Sequence, residues 1–139
     1  MNAPYIVFAD DDPDDREALI QSFLEKNPDA TVMAFDDGGE LLRYLEDCPS
    51  ANLPVMILMD YKMPFGTAAD ILEHLSADPR YSGIIKLVWS TSGKPEYVDR
   101  CVEKGASQYF TKPASLPELT TIVEGMTRVF RTRMSNYTA

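Results

Sequence analysis

Histidine occurs once in this 139-residue chain and cysteine twice, and no apolar run approaches membrane-spanning length. The longest uncharged apolar stretch, residues 53–59, falls far short of the ~20 residues a spanning helix needs. Cys48 and Cys101 share no metal-site or disulfide spacing, so two reduced, buried thiols are expected. His74, the lone histidine, falls mid-helix and is expected to be a plain surface residue rather than a phosphocarrier or metal ligand. Positive charge is also short, with 13 basic residues against 22 acidic ones and a formal net charge of −9. Such a surface repels nucleic-acid phosphates and anionic lipid, so no nucleic acid and no membrane is expected among its partners. It suits a protein that holds cations or docks onto basic patches. Met1, Asn2, Ala3 and Pro4 bring neither a basic region nor an apolar run, so no signal peptide is expected and the expected location is cytoplasmic.

What the chain does have is alternation. Tyr5-Ile6-Val7-Phe8-Ala9 is a short apolar run that stops at a cluster of acids, the pattern of a buried strand. Asp12-Pro13 then reads as an N-cap followed by proline in the first helical turn, with Leu19, Ile20, Phe23 and Leu24 as the apolar face. Four further strands are expected at residues 31–35, 55–59, 84–89 and 107–110. Helices are expected around Leu41–Leu45, around Ile71–Leu75, over 95–104 and over 116–133. Five strand–helix units in succession predict an α/β fold, a five-stranded parallel sheet covered by helices on both faces. No linker or repeat divides it, so residues 1–139 read as one domain, with a core over about 4–130 and a helical extension and tail to 139.

In an open parallel sheet, ligands bind beyond the carboxyl ends of the strands. Strand one ends in Asp10 and Asp11, strand three in Asp60, strand four in Ser90 and Thr91, strand five in Thr111 and Lys112. Three carboxylates, hydroxyls and an ammonium therefore converge. Carboxylates that close repel one another unless a cation sits among them, and an all-oxygen donor set suits a hard ion such as Mg²⁺. A lysine opposite supplies a point charge for a phosphate, and an aspartate there can be a nucleophile that forms an aspartyl phosphate.

The order and spacing resemble the receiver domain of two-component response regulators. The matching pieces are Asp10-Asp11, Asp60-Tyr61-Lys62-Met63-Pro64, Ser90-Thr91 and Tyr109-Phe110-Thr111-Lys112-Pro113, with Ser90, Tyr109 and Lys112 at offsets of 30, 49 and 52 from Asp60. The resemblance implies a doubly wound, flavodoxin-like (CheY-like) fold that accepts a phosphoryl group from a sensor histidine kinase. It implies Asp60 as phosphoacceptor and Asp11 as direct Mg²⁺ ligand, with Asp10 assisting, often through water. The backbone carbonyl of Lys62 is implied as a third protein oxygen. Lys112 pairs with the phosphoryl oxygens, Ser90 donates to the phosphoryl group, and Tyr109 swings inward as Ser90 moves. The Asp-Asp-Asp-Pro start leans toward the subgroup that partners phytochrome-type kinases. No stretch is left within these residues for an output domain, so the signal is expected to leave by contact with a downstream protein or a phosphotransfer protein.

Two departures from the family pattern carry expectations. Ala68 stands eight residues after Asp60 where glycine is usual, with Gly66 two positions earlier, so the loop into the third helix should differ in shape. Trp89 is bulky for the end of strand four and should affect how far the Ser90 loop travels. In the last helix Leu119, Ile122, Val123, Met126, Phe130 and Met134 form one apolar stripe, with Arg128, Arg131 and Arg133 near its end. The stripe outlasts the usual receiver body, which raises a homodimer through this end as an expectation. Two rival readings differ in kind: an adaptor that works without phosphorylation, and an Asp-nucleophile phosphatase. The phosphatase needs a second acid two residues after its nucleophile, where this chain has Lys62.

Overall fold

A computed structural model describes residues 4–64 and 66–138, the last two by backbone alone. Five strands form one parallel sheet: β1 (Tyr5–Ala9), β2 (Thr31–Phe35), β3 (Met56–Asp60), β6 (Ile85–Ser90) and β7 (Gln108–Thr111). Their spatial order is β2-β1-β3-β6-β7, so the winding direction reverses at β1 and β3. Strand periodicity divides the core. Ile6, Phe8, Met56, Leu58, Leu87 and Trp89 face α1 (Pro13–Lys26) and α5 (Leu116–Thr138). Val7, Ala9, Ile57, Met59 and Val88 face α2 (Gly38–Asp47), α3 (Ala68–Ser76) and α4 (Pro95–Glu103). Every residue of β3 is buried, as expected of a central parallel strand covered on both faces. The doubly wound α/β fold expected from the sequence is therefore present.

Local chemistry explains where α1 begins and ends. Asp12 is the N-cap, its carboxylate accepting from the backbone N–H groups of Asp14 and Asp15, and Pro13 takes the first helical position. At the other end Asn27 donates to the Phe23 carbonyl and to the Thr127 hydroxyl of α5.

The structure corrects one sequence expectation. The last helix runs to Thr138, five residues past 133, because its end is fastened to the body: Arg131 donates to the Lys26 carbonyl and to Asn27, Arg133 to the Gly83 carbonyl. Arg131 thus satisfies an orphan carbonyl of α1 rather than serving only its own helix. The apolar stripe is taken up within the chain, with Val123 and Met126 fully buried and Phe130 and Met134 packed against the same cluster.

The loop into α3 also takes a definite form that the sequence reading lacked. Lys62–Met63 (β4) pairs antiparallel with Gly66–Thr67 (β5), and Gly66 has φ +154°. A Cβ there would stand 3.0 Å from the Asp70 carboxylate, which is engaged in a capping box with Thr67. Ala68, immediately after, is fully buried, so the glycine serves the hairpin and the helix start packs through a methyl group.

Phe23 is fully enclosed, edge-on to Phe8 at 5.7 Å and to Phe130 at 5.5 Å, and so ties α1 to the sheet and to α5. Phe23→Ala is expected to cost about 3–5 kcal/mol. Denaturant unfolding checks this: the midpoint should fall with the slope unchanged.

Candidate functional site

The carboxyl ends of β1, β3, β6 and β7 meet at one edge, and α1 starts beside them. Asp10 is almost fully buried and Asp60 nearly so, while Asp11 is exposed. One oxygen from each of these three carboxylates lies within 4.8 Å of the other two. Lys112, just past β7, sends its ammonium among the acids. Its Nζ lies 2.9 Å from Asp10 Oδ2, 3.2 Å from Asp60 Oδ2 and 2.8 Å from Asp15 Oδ2.

Asp10 is held from every side. Its Oδ1 accepts from the Asp12 backbone N–H at 2.9 Å, and its Oδ2 accepts from the indole N–H of Trp89 at 2.9 Å as well as from Lys112. Its own backbone N–H donates to the Phe35 carbonyl, and its carbonyl accepts from Arg16. Trp89 and Asp60 are register partners on β6 and β3, so the indole is buried beside β3. The Trp89 ring also lies 5.3 Å from the Lys112 ammonium.

Charge is unbalanced here: Asp10, Asp15 and Asp60 face the ammonium of Lys112, and Asp11 stands beside Asp10 and Asp60. Burial, then the negative charge of Asp10, push Asp60 from 3.8 up to about 7, although Lys112 pulls the other way. Burial works to lower Lys112, but hydrogen bonds to Asp15 and Asp10 and the charges of Asp10 and Asp60 outweigh it and raise the group. The donor set is all oxygen, crowded and under-neutralised, which fits a hard divalent cation.

Ser90 ends β6 and is buried. Its Oγ accepts from the Ser92 backbone N–H at 3.1 Å, and its carbonyl accepts from the Lys112 N–H at 2.7 Å. Tyr109 is half-buried on the α4 face of the sheet, the face that Ser90 shares by strand parity, and its hydroxyl donates to the Ser92 carbonyl at 2.6 Å. Burial raises the pKa of that hydroxyl. Its ring is 6.4 Å from that of Tyr61, which stacks at 4.6 Å on Tyr97 of α4. Lys62 opens β4, two residues past Asp60, with its side chain exposed. His74 is half-exposed on α3 beside Glu46, and both cysteines are buried and free, as the sequence suggested.

The structure thus gathers Asp10, Asp11, Asp60 and Lys112 into one cluster and joins Ser90 to Tyr109 through Ser92. Two members were not foreseen. Asp15 is the third residue of α1, and the Asp12 N-cap fixes the helical phase that turns it toward Lys112. Trp89 was read only as bulk, yet a buried indole N–H needs an acceptor, and strand parity pointed it toward the acids.

Residues 6–124 match the response regulator receiver domain, and the chain belongs to that family. A two-component response regulator of rice, ORR12, is 27% identical over 123 residues, spanning 88% of this chain and 98% of the rice protein. The phosphorylated cyanobacterial phytochrome response regulator RcpA is 26% identical with TM-score 0.78, covering 89% of this chain and 91% of its own. The Mn²⁺-bound form of the response regulator Rcp1 gives the same TM-score at 23% identity, covering 89% of this chain and 91% of its own. Members of this family are phosphorylation-dependent signalling switches, taking a phosphoryl group from histidine kinases and signalling to downstream partners. Among the described residues, no helix is long and apolar enough to cross a membrane.

The raised Asp60 pKa has a consequence for stability. The folded state keeps a proton that the unfolded state loses above 3.8, so this contribution is complete below that pH and is lost as pH rises through about 7. In EDTA, raising the pH from about 5 to about 8 should therefore cost the wild type on the order of 2–4 kcal/mol from this group. Asp60→Asn should flatten that slope and be the more stable protein at the upper end. Chemical denaturation across the range checks it; an equal slope in the two proteins contradicts the assignment.

Proposed function

We propose that Asp60 is the phosphoacceptor of this receiver, with Mg²⁺ as its cation, and that residues 1–139 act as one domain. The carrying observation is the convergence of Asp10, Asp11 and Asp60 opposite the Lys112 ammonium. Asp11, exposed, is the direct ligand; Asp10 offers little spare acceptor capacity, with both oxygens already hydrogen-bonded, and assists. The Lys62 carbonyl supplies a further oxygen. When bound, the cation neutralises carboxylate and phosphoryl charge and so favours the ionised nucleophile. That Rcp1, a response regulator of the same fold, has a Mn²⁺-bound form lends support to a divalent ion here.

An Asp60 carboxylate oxygen attacks phosphorus, the bond from phosphorus to the donor breaks, and the leaving group departs with the bonding electrons. Lys112 and Ser90 meet the phosphoryl oxygens. Ser90 Oγ accepts from the Ser92 N–H, which leaves its own O–H to donate to them and ties any movement of Ser90 to this loop. Ser92 also holds Tyr109 through its carbonyl, so a shift of this loop reaches the β7–α4 face.

The domain is a switch rather than a turnover enzyme, hydrolysing its own aspartyl phosphate slowly at most. The exposed Lys62, in place of a second acid, speaks against a phosphatase. The likeness to RcpA supports a phytochrome-type kinase as donor in the cytoplasm, with a downstream protein or phosphotransfer protein as receiver of the signal. A homodimer through the C-terminal helix would draw on exposed residues such as Arg128, Thr132 and Asn136, since the apolar stripe packs within the chain.

Intact-mass spectrometry after incubation with acetyl phosphate tests the reading. Mg²⁺-dependent gain of one phosphoryl group by wild type, absent in Asp60→Asn, is the expected result. No gain under any condition rejects the acceptor role and leaves the phosphorylation-independent adaptor.

A further inference from the structure

We infer that Asp15 is a latch on Lys112, a positioning residue that occupies the ammonium before phosphoryl transfer and sets how readily the site takes a phosphoryl group. The inference rests on Asp60 being the acceptor. An ammonium has three N–H donors; Asp15 and Asp60 accept from it at 2.8 and 3.2 Å, and Asp10 crowds it as an ion-pair partner at 2.9 Å. A phosphoryl oxygen arriving at Lys112 must therefore displace one carboxylate.

The structure indicates which one yields. Asp10 is fixed by the Asp12 N–H and the Trp89 indole, and its side chain is 2% exposed, so releasing it would strand a buried charge. Asp60 is the group being phosphorylated. Asp15 makes the shortest of the three contacts, yet its side chain is 39% exposed and can return to water on release. Asp15 is also one of the negative charges that an incoming phosphoryl anion meets. Both effects oppose transfer, and both disappear with its carboxylate.

Plain charge and the latch contact are separable, because Asp14 is the neighbouring acid in the same helical turn and is exposed, whereas the carboxylates that hold the Lys112 ammonium are Asp10, Asp15 and Asp60. With acetyl phosphate and Mg²⁺, Asp15→Asn and Asp15→Ala should gain the phosphoryl mass about three- to tenfold faster than wild type, the size of a partly exposed ion pair. Asp14→Asn should change the rate less than about twofold. The thermal midpoint, which a purely structural role of Asp15 would move, should stay close to wild type in all three. Equal acceleration by Asp14→Asn and Asp15→Asn, or a slower Asp15→Asn, overturns the latch. If wild type gains no mass at all, it is the acceptor assignment that fails. The latch then stands or falls on inorganic phosphate binding in Mg²⁺: tighter in Asp15→Asn than in wild type and Asp14→Asn supports it, equal binding rejects it.

Discussion

Mutual repulsion among buried carboxylates is the constraint on which this site depends. Asp10, Asp15 and Asp60 come from two strands and a helix, and left to themselves they would part or take up protons. The ammonium of Lys112 holds them together, and the fold gives Asp10 and Asp60 no alternative position, while Asp15 lies at the open side. Asp60 follows five successive buried residues, Val55 to Met59, and cannot shift without moving the centre of the core. Asp10 is pinned through both carboxylate oxygens and both backbone groups. One cation satisfies the cluster only in part, and the remaining imbalance is what makes the pocket receptive to a divalent ion.

Strand periodicity then separates the carboxylate cluster from an aromatic face. Asp10, Asp60, Trp89 and Lys112 share the side of the sheet edge where α1 begins, whereas Tyr61, Tyr97 and Tyr109 are on the side of α4. The two sides touch through short links. The Tyr61 N–H donates to the Trp89 carbonyl at 2.9 Å, and Ser92 bonds both Ser90 and Tyr109. A change of charge on Asp60 thus acts next to the groups that hold the aromatic face, which is the arrangement a local electrostatic switch needs.

Much of this was legible in the sequence. The runs ending at Asp10, Asp60, Ser90 and Lys112 gave both the sheet and the edge where its chemistry collects, because strand ends in a parallel sheet are also its binding edge. The Asp12-Pro13 signal located the start of α1 to the residue. What escaped was set by tertiary contact. The length of α5 depends on Arg131 and Arg133 reaching α1 and the Gly83 carbonyl, which no helical periodicity encodes. The hairpin at Gly66 is two residues long on each side, too short for an alternation pattern. Asp15 looked like one more acid in a helical first turn, and Trp89 like a packing residue, until their partners 97 and 79 residues away were in place.

Trp89 is the only tryptophan and hydrogen-bonds Asp10, so its emission reports on the carboxylate cluster. Titrating the protein with Mg²⁺ at about pH 8, where Asp60 is ionised, tests most directly whether that cluster is a cation site. A saturable change in Trp89 emission, strongly weakened by Asp11→Asn and by Asp60→Asn, is the result predicted here. An emission that does not move, or that moves as much in both variants as in wild type, would contradict it.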